Sequence, residues 1–190
     1  MPFGYWLVRV IKGVDIRSTG SGNIGASNVW RTYGPRLGAL VAALDVLKGF
    51  VPALLAATQV GALAGVLAGG AAMLGHSRPL FLGFARGGKM VATCGGAFLG
   101  IAPVVGLLGV VIWLAVFGLF RYASVASIAA AVALPALAVV LDQPWPVVTF
   151  AAVAGAAVIV LHRENIKRLR LGTERRISLR VRRRSEATAR

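Results

Sequence analysis

The sequence predicts an all-α, polytopic membrane helix bundle of about seven transmembrane helices, the first of them truncated at its N-terminus. Three observations predict this fold. Of the 190 residues, 57% are hydrophobic and only 14% are charged, whereas a soluble domain carries about 25% charged residues. Long apolar runs follow one another along most of the chain. The Lys and Arg residues lie almost entirely between or after these runs, as they do where a membrane protein faces the cytoplasm.

The apolar runs predict the helices in chain order. A stub of eight residues ends before Arg9, and because a span needs about 20 residues we interpret the stub as the trailing half of a helix. Pro35 opens the next helix, since proline is tolerated in a first turn. The longer runs are 37–58, 60–75, 91–101, 104–120, 124–141 and 146–161.

The uncharged stretch 90–120 could form one tilted helix or two short ones. Arg86 and Lys89 precede it and Arg121 follows it, so the positive-inside rule assigns both ends to the same side of the membrane. Two crossings that turn at Pro103 satisfy this requirement, and one crossing does not. The same rule predicts an outside amino end and a cytoplasmic carboxyl end.

The charge distribution favours a lipid partner over nucleic acid. The net charge is +15, but 11 of the 21 Lys and Arg residues follow His162, where they can contact anionic headgroups. We therefore predict no nucleic-acid partner, a membrane domain at 1–174 and a basic cytoplasmic tail at 175–190. A lone Cys94 and six scattered acidic residues give no disulfide framework, metal site or metal-dependent phosphotransfer centre.

Two glycine-rich clusters fall on the predicted cytoplasmic side. In 20–31, the backbone amides, the Ser and Asn side chains and Arg31 could hold a phosphate, although a flexible turn is the alternative. Gly87, Gly88 and Lys89 precede a helix that should begin near Val91, where amide groups and a cation attract anions. A simple basic anchor at the membrane surface is the alternative for this second cluster.

Two further polar clusters lie at 121–127 and 162–168 on the same side. Ser124 suits a helix cap, whereas Ser127 lies one turn further in and could face the bundle. His162 and Asn165 are three residues apart and share a helical face. Four clusters rich in hydrogen-bond donors and poor in acids predict phosphate binding at the membrane surface.

At these clusters the sequence resembles the acyl-phosphate-dependent glycerol-3-phosphate acyltransferases of bacteria, the PlsY family. The resemblance covers about residues 3 to 174. The matching segments are Asp15–Arg17, Gly20–Arg31, Leu44–Gly49, Gly75–His76, Gly87–Lys89, Val91–Thr93, Arg121–Tyr122 and His162–Leu169. Within one of them, Asp45 and Lys48 lie a turn apart in a span, which predicts a buried ion pair.

The resemblance implies an enzyme of phospholipid biosynthesis, placed in the bacterial plasma membrane with its active site toward the cytoplasm. It implies acyl transfer from acyl phosphate to glycerol 3-phosphate, without a cofactor or metal, and contact with an enzyme that produces acyl phosphate. The implied catalytic residues are Ser21, Arg31, Lys89, His162 and Asn165. The implied substrate-binding residues are Asn23, Ser27, Gly87, Gly88 and Ser127.

Several points stay open at the level of sequence. The proton acceptor is either substrate phosphate or His162. Met90 stands where the family has glycine, and its side chain is expected to crowd the substrate phosphate. A transporter or channel for small phosphate esters is the alternative from another class, although no paired broken helices or repeats support it. An inactive relative is a further alternative.

Overall fold

A computed structural model describes residues 1–177, and within this range every regular element is helical. Residues 178–190, most of the predicted basic tail, lie outside the described residues. Two single-turn 3-10 segments cover Ile16–Ser18 and Leu80–Leu82. The α-helices are α1 (Phe3–Lys12), α2 (Ala26–Tyr33), α3 (Pro35–Gln59), α4 (Ala62–Ser77), α5 (Val91–Ile101), α6 (Pro103–Phe120), α7 (Ala123–Val140), α8 (Trp145–Leu161) and α9 (Arg163–Arg170).

Helices α3 to α8 reproduce the six predicted runs to within about two residues. The uncharged stretch 90–120 is confirmed as two helices, because α5 ends at Ile101 and α6 begins at Pro103. Proline occupies the first or second position of α3, α6 and α8, where its missing N–H breaks no helical hydrogen bond.

The predicted number of seven crossings is not confirmed. Within residues 1–177, α3, α6 and α7 are long and apolar enough to cross a membrane by themselves, and α5 is a shorter apolar helix. Helices α8 and α9 form a pair bent by 54°. Five of the eight residues of α9 are charged, so α9 fits the membrane surface rather than the hydrocarbon.

The surface of the bundle is apolar, as expected for a protein solvated by lipid. Large side chains such as Leu55, Leu107 and Leu114 are half or more exposed on α3 and α6. Small residues, by contrast, lie between the helices. In lipid, helices associate mainly through close packing and interhelical hydrogen bonds, and small residues allow both.

Helices α3 and α5 approach each other at backbone distance through glycine. A Cβ on Gly96 would lie 2.0 Å from the carbonyl oxygen of Val46, and a Cβ on Gly49 would lie 2.1 Å from that of Thr93. Only glycine permits such a contact, and it recurs at Gly100 against Phe50 and Leu54. The contact places the first turn of α5 against the middle of α3.

We expect Gly96→Ala to destabilise the bundle, because the new methyl group meets the Val46 carbonyl and the two helices must separate. Overpacking of this kind typically costs about 1–3 kcal/mol. The measurement is the midpoint of thermal or denaturant unfolding in detergent. Gly95→Ala is the matched control, because a Cβ at Gly95 meets nothing within 4 Å. Equal midpoints for the two variants would contradict the close contact.

Candidate active site

A cavity of about 500 Å³ opens between α2, α3, α5, α6, α7 and α8. Eight of the ten residues predicted for the site line it: Ser21, Asn23, Ser27, Arg31, Lys89, Ser127, His162 and Asn165. Segments far apart in the chain therefore meet around one space, as the sequence predicted. The other two predicted residues, Gly87 and Gly88, pack against α4 and the turn that follows it.

The glycine-rich segment 20–31 is a held loop followed by a helix. Asn28 is buried, its amide oxygen accepts the Ser21 N–H at 2.9 Å, and its amide nitrogen donates to the Asn23 carbonyl at 2.8 Å. The second half of the segment forms α2, which places Ser27 and Arg31 one turn apart on one face. Residues 26–31 are thus helical rather than part of a turn, and hydrogen bonds hold the loop before them. No sequence pattern had indicated a role for Asn28.

Asn23 joins the two glycine-rich segments. Its amide oxygen accepts the Gly25 N–H at 2.8 Å, and its amide nitrogen donates to the Gly87 carbonyl at 3.0 Å. Although Asn23 lines the cavity, two of its polar groups are thus used to hold the loops together. Its expected contact with substrate stays a prediction.

The amide groups of Gly87 and Gly88 are occupied by the protein itself. They donate to the carbonyl groups of Ser77 and His76 at 2.9 and 3.0 Å, so in this conformation they are not available to an anion, contrary to expectation. Glycine is required here for close packing, because a Cβ on Gly88 would lie 1.9 Å from the His76 Nε2. Lys89 is the residue of this loop that lines the cavity.

A buried triad of polar side chains, Asp45, Lys48 and His76, packs against the loop that carries Gly88. The predicted ion pair between Asp45 and Lys48 is confirmed. The Lys48 ammonium also lies 2.7 Å from the His76 Nδ1, and since an ammonium can only donate, Nδ1 accepts and the ring proton sits on Nε2. The triad thus fixes the His76 ring against Gly88, within the low-dielectric part of the bundle.

Lys89 and Asn165 meet at the cavity mouth. The Lys89 ammonium donates to the amide oxygen of Asn165, whose amide nitrogen donates to Glu174 at 2.6 Å. Glu174 also accepts hydrogen bonds from Ser124 at 2.9 Å and from Arg168 at 2.7 Å. The expected capping role of Ser124 is wrong, because Tyr122 is the N-cap of α7.

Sequence reasoning missed Glu174 as part of the site. It is 9% exposed, and the chain continues in contact with the site beyond it. The Arg31 guanidinium donates to the Arg175 carbonyl at 3.3 Å, and the Ile177 N–H donates to the Arg121 carbonyl at 2.9 Å. One signal was available, since Glu174 is one of only six acidic residues in a chain of net charge +15.

The protonation states of two cavity residues follow from their surroundings. Burial lowers the pKa of Lys89 to about 8, and Arg168 lowers it as well while Glu174 opposes this. Burial lowers the pKa of His162 to about 4, against the opposing hydrogen bond to Val158. At neutral pH His162 is uncharged, and because its Nδ1 contacts the Val158 carbonyl at 2.7 Å, that nitrogen carries the proton. Its Nε2 therefore keeps a free lone pair.

Ser127 faces the bundle, as expected, and it is already partnered. Its hydroxyl donates to the Ala123 carbonyl at 2.6 Å and accepts the indole N–H of Trp113 at 3.1 Å. Further into the membrane the cavity is lined by apolar residues that include Phe98, Val110 and Leu134. The cavity therefore has a polar mouth and an apolar interior.

Met90 does not crowd the cavity. Its side chain is 5% exposed and packs in the apolar core with Cys94 and Phe98. Its backbone has φ +67°, a conformation that favours glycine. The family's glycine at this position therefore suits the backbone, whereas the expected contact of Met90 with a substrate phosphate has no support in the geometry.

The family match covers most of the chain and nearly all of the residues that line the cavity. Residues 1–172 match the family described as "Glycerol-3-phosphate acyltransferase". The similar proteins include glycerol-3-phosphate acyltransferases from Roseiflexus sp. (strain RS-1), 50% identical over 93% of this chain and 88% of the relative, and from Aquifex aeolicus (strain VF5), 45% identical over 90% and 89%.

Two solved structures have a similar fold. They are crystal structures of PlsY (YgiH), an integral membrane glycerol 3-phosphate acyltransferase, in its glycerol 3-phosphate form and its lysophosphatidic acid form. The TM-scores are 0.88 and 0.85 at 44% and 43% identity, and each comparison covers 93% of this chain and 88% of the other.

We expect Gly88→Ala to displace the loop that carries Lys89, because the new methyl group overlaps the His76 ring and the triad with Lys48 and Asp45 prevents that ring from moving away. Gly75→Ala is the control, as a Cβ there meets nothing within 4 Å. The measurement is the midpoint of unfolding together with the stabilisation produced by added glycerol 3-phosphate. If Gly88→Ala matched the control in unfolding midpoint and in stabilisation by glycerol 3-phosphate, His76 would not be what holds the loop in place.

Proposed function

Because the chain belongs to the glycerol-3-phosphate acyltransferase family, we propose that its cavity transfers a fatty acyl group from acyl phosphate to sn-glycerol 3-phosphate. The products are 1-acyl-sn-glycerol 3-phosphate, which is lysophosphatidic acid, and inorganic phosphate. One observation carries the proposal: Arg31, Lys89 and Asn165 meet at the polar mouth of a cavity whose interior is apolar. Such a cavity suits two phosphates at the mouth and an acyl chain inside.

The cationic and neutral donors have separate tasks in this reaction. Arg31 presents a guanidinium that can hold a phosphate through two hydrogen bonds, and Lys89 adds a compact charge. Ser21 and Ser27 offer hydroxyl donors from the same side of the cavity. Together they bring the glycerol hydroxyl onto the acyl carbonyl and stabilise the charge on the departing phosphate.

The chemical step needs no covalent enzyme intermediate, because acyl phosphate is already activated. The glycerol oxygen forms a bond to the carbonyl carbon, the bond from that carbon to the phosphate oxygen breaks, and the hydroxyl proton leaves on phosphate. Substrate phosphate is the proposed proton acceptor, and His162 is the rival. The free Nε2 lone pair of His162 keeps that rival chemically reasonable.

The acyl chain fits the apolar interior of the cavity. The lining residues of α7 run from Ala123 to Leu134, which corresponds to a depth of about 16 Å at 1.5 Å per residue. Phe98 and Val110 complete the apolar wall on the facing helices. A chain held there lies between helices at membrane depth, where it can arrive from the lipid.

The chain is a membrane protein, and we propose that the cavity opens on the cytoplasmic face of a bacterial plasma membrane. The basic segments on either side of the cavity mouth support this orientation through the positive-inside rule. On this arrangement 1–174 is the membrane domain and 175–190 a basic cytoplasmic segment that attracts anionic headgroups. Contact with an acyl-phosphate-producing enzyme is part of the proposal, since a reactive amphiphilic donor is best transferred at the membrane.

The decisive experiment measures phosphate release by the purified protein in detergent. We expect release from palmitoyl phosphate only when glycerol 3-phosphate is present, with lysophosphatidic acid formed in equal amount. Lys89→Gln should lower kcat/KM for glycerol 3-phosphate by about 10- to 100-fold, because a hydrogen bond to a charged group is worth about 1.5–3 kcal/mol. Uptake of glycerol 3-phosphate by sealed vesicles without acyl phosphate, and no phosphate release, would favour the transporter alternative.

The lowered pKa of Lys89 predicts an alkaline limit to activity. Below about pH 8 the side chain is an ammonium that attracts phosphate, and above it the charge is lost. We therefore expect kcat/KM for glycerol 3-phosphate to fall as pH rises through about 8. Lys89→Arg is the matched variant, since a guanidinium stays charged in this range and should remove the alkaline fall. An unchanged profile in Lys89→Arg would assign the fall to another group.

A further inference from the structure

We propose that Glu174 is a positioning residue for the acyl-transfer site, a role that rests on the proposed function of the same cavity. Its carboxylate fixes the amide of Asn165 through a hydrogen bond and places one negative charge beside the cations at the cavity mouth. The sequence analysis assigned no role to Glu174.

The geometry shows a carboxylate held by three donors from two helices. Oε1 accepts the Ser124 hydroxyl from α7 at 2.9 Å and the Asn165 amide from α9 at 2.6 Å, and Oε2 accepts the Arg168 guanidinium at 2.7 Å. An ionised carboxylate can only accept hydrogen bonds, so the amide nitrogen of Asn165 must face it. The amide oxygen of Asn165 is then turned toward the Lys89 ammonium.

Through these contacts, Glu174 fixes the orientation of the Asn165 amide. Without the carboxylate, the amide of Asn165 could turn over and present its nitrogen to Lys89, where two donors would face each other. With the carboxylate, Asn165 holds the ammonium at the cavity wall in a single orientation. Glu174 thus acts on substrate through Asn165 and Lys89, and the backbone that follows it also accepts a hydrogen bond from Arg31.

Glu174 also affects the charge on Lys89. Burial is the main cause that lowers the pKa of Lys89, and the nearby Arg168, Arg31 and Arg86 lower it further. Glu174 is the acid that opposes these effects. The hydrogen-bond acceptor of the ammonium, Asn165, is neutral. His162, from the end of α8, is also neutral at pH 7, since its pKa is lowered to about 4 by burial. The negative charge of Glu174 therefore raises the pKa of Lys89 and favours its ammonium form.

The test compares Glu174→Gln with Glu174→Asp. Glutamine keeps the size of the side chain and removes its charge, so we expect kcat/KM for glycerol 3-phosphate to fall by about tenfold or more at pH 7. We also expect the alkaline fall in activity to move to lower pH. Aspartate keeps the charge but is too short to hold Asn165, so its activity should fall while the alkaline fall stays near pH 8.

Asp142→Asn is the matched control. It removes one negative charge from the loop between α7 and α8, which lies at the end of α7 opposite Ser124. Asparagine also tolerates the positive φ of 49° found at Asp142. This variant should keep both the activity and the pH profile of the unchanged protein. If it shifted the profile as Glu174→Gln does, the effect would be one of overall charge, and the proposal would be overturned.

Further readouts separate this inference from the function on which it rests. Phosphate release by the unchanged protein tests the acyltransferase activity alone, whereas the variants test Glu174. Stabilisation of each variant by glycerol 3-phosphate, measured as a shift in unfolding midpoint, should weaken in Glu174→Gln relative to Asp142→Asn. A folded Glu174→Gln with unchanged pH profile would overturn the role. If that variant fails to fold, a folded Glu174→Asp with unaltered kcat/KM would overturn it instead.

Discussion

The close contact between α3 and α5 is the constraint on which the site depends. Val46 and Thr93 offer carbonyl groups to glycines of the opposite helix at a distance that excludes any Cβ. This contact leaves no freedom in how the start of α5 sits on α3, so the loop that carries Lys89 has a defined position. The Asp45–Lys48 pair on α3 then reaches His76, and His76 supports the same loop.

The site is also constrained by its shortage of acids. Binding two phosphates near a low-dielectric interior requires cations that are not already neutralised by protein carboxylates. Arg31 and Lys89 accordingly have neutral partners, a backbone carbonyl and an amide oxygen. Glu174 pairs with Arg168 and leaves the other two cations to the cavity. A second carboxylate at the mouth would compete directly with substrate.

The sequence predicted those features that depend on local spacing or on charge counted along the chain. The turn at Pro103 followed from the basic residues at both ends of the stretch 90–120, which placed both ends on one side of the membrane. The pair of Asp45 and Lys48 followed from helical spacing. Features set by tertiary contacts were missed. Ser124 and Glu174 are 50 residues apart, and no local pattern indicates that a serine near a helix start serves a distant carboxylate rather than its own helix.

The loop before α5, which contains Gly87 and Gly88, shows that the presence of hydrogen-bond donors does not by itself predict an anion site. Two glycines before a helix are a reasonable anion site, and the sequence contains nothing that says where their amides point. In the fold, the carbonyls of Ser77 and His76 reach those amides first. The number of crossings was uncertain for a related reason, because an 11-residue helix such as α5 is too short for length and composition to decide whether it spans.

The choice of proton acceptor can be argued from relative basicity. Burial lowers the pKa of His162 to about 4, whereas the second pKa of a phosphate monoester is about 6. The buried imidazole is therefore a weaker base than a phosphate monoester dianion in solution. His162 lines the cavity and donates its ring proton to the Val158 carbonyl, so its Nε2 keeps a lone pair. We therefore propose that the ring accepts a hydrogen bond from the glycerol hydroxyl and orients it, while the substrate's own phosphate takes the proton.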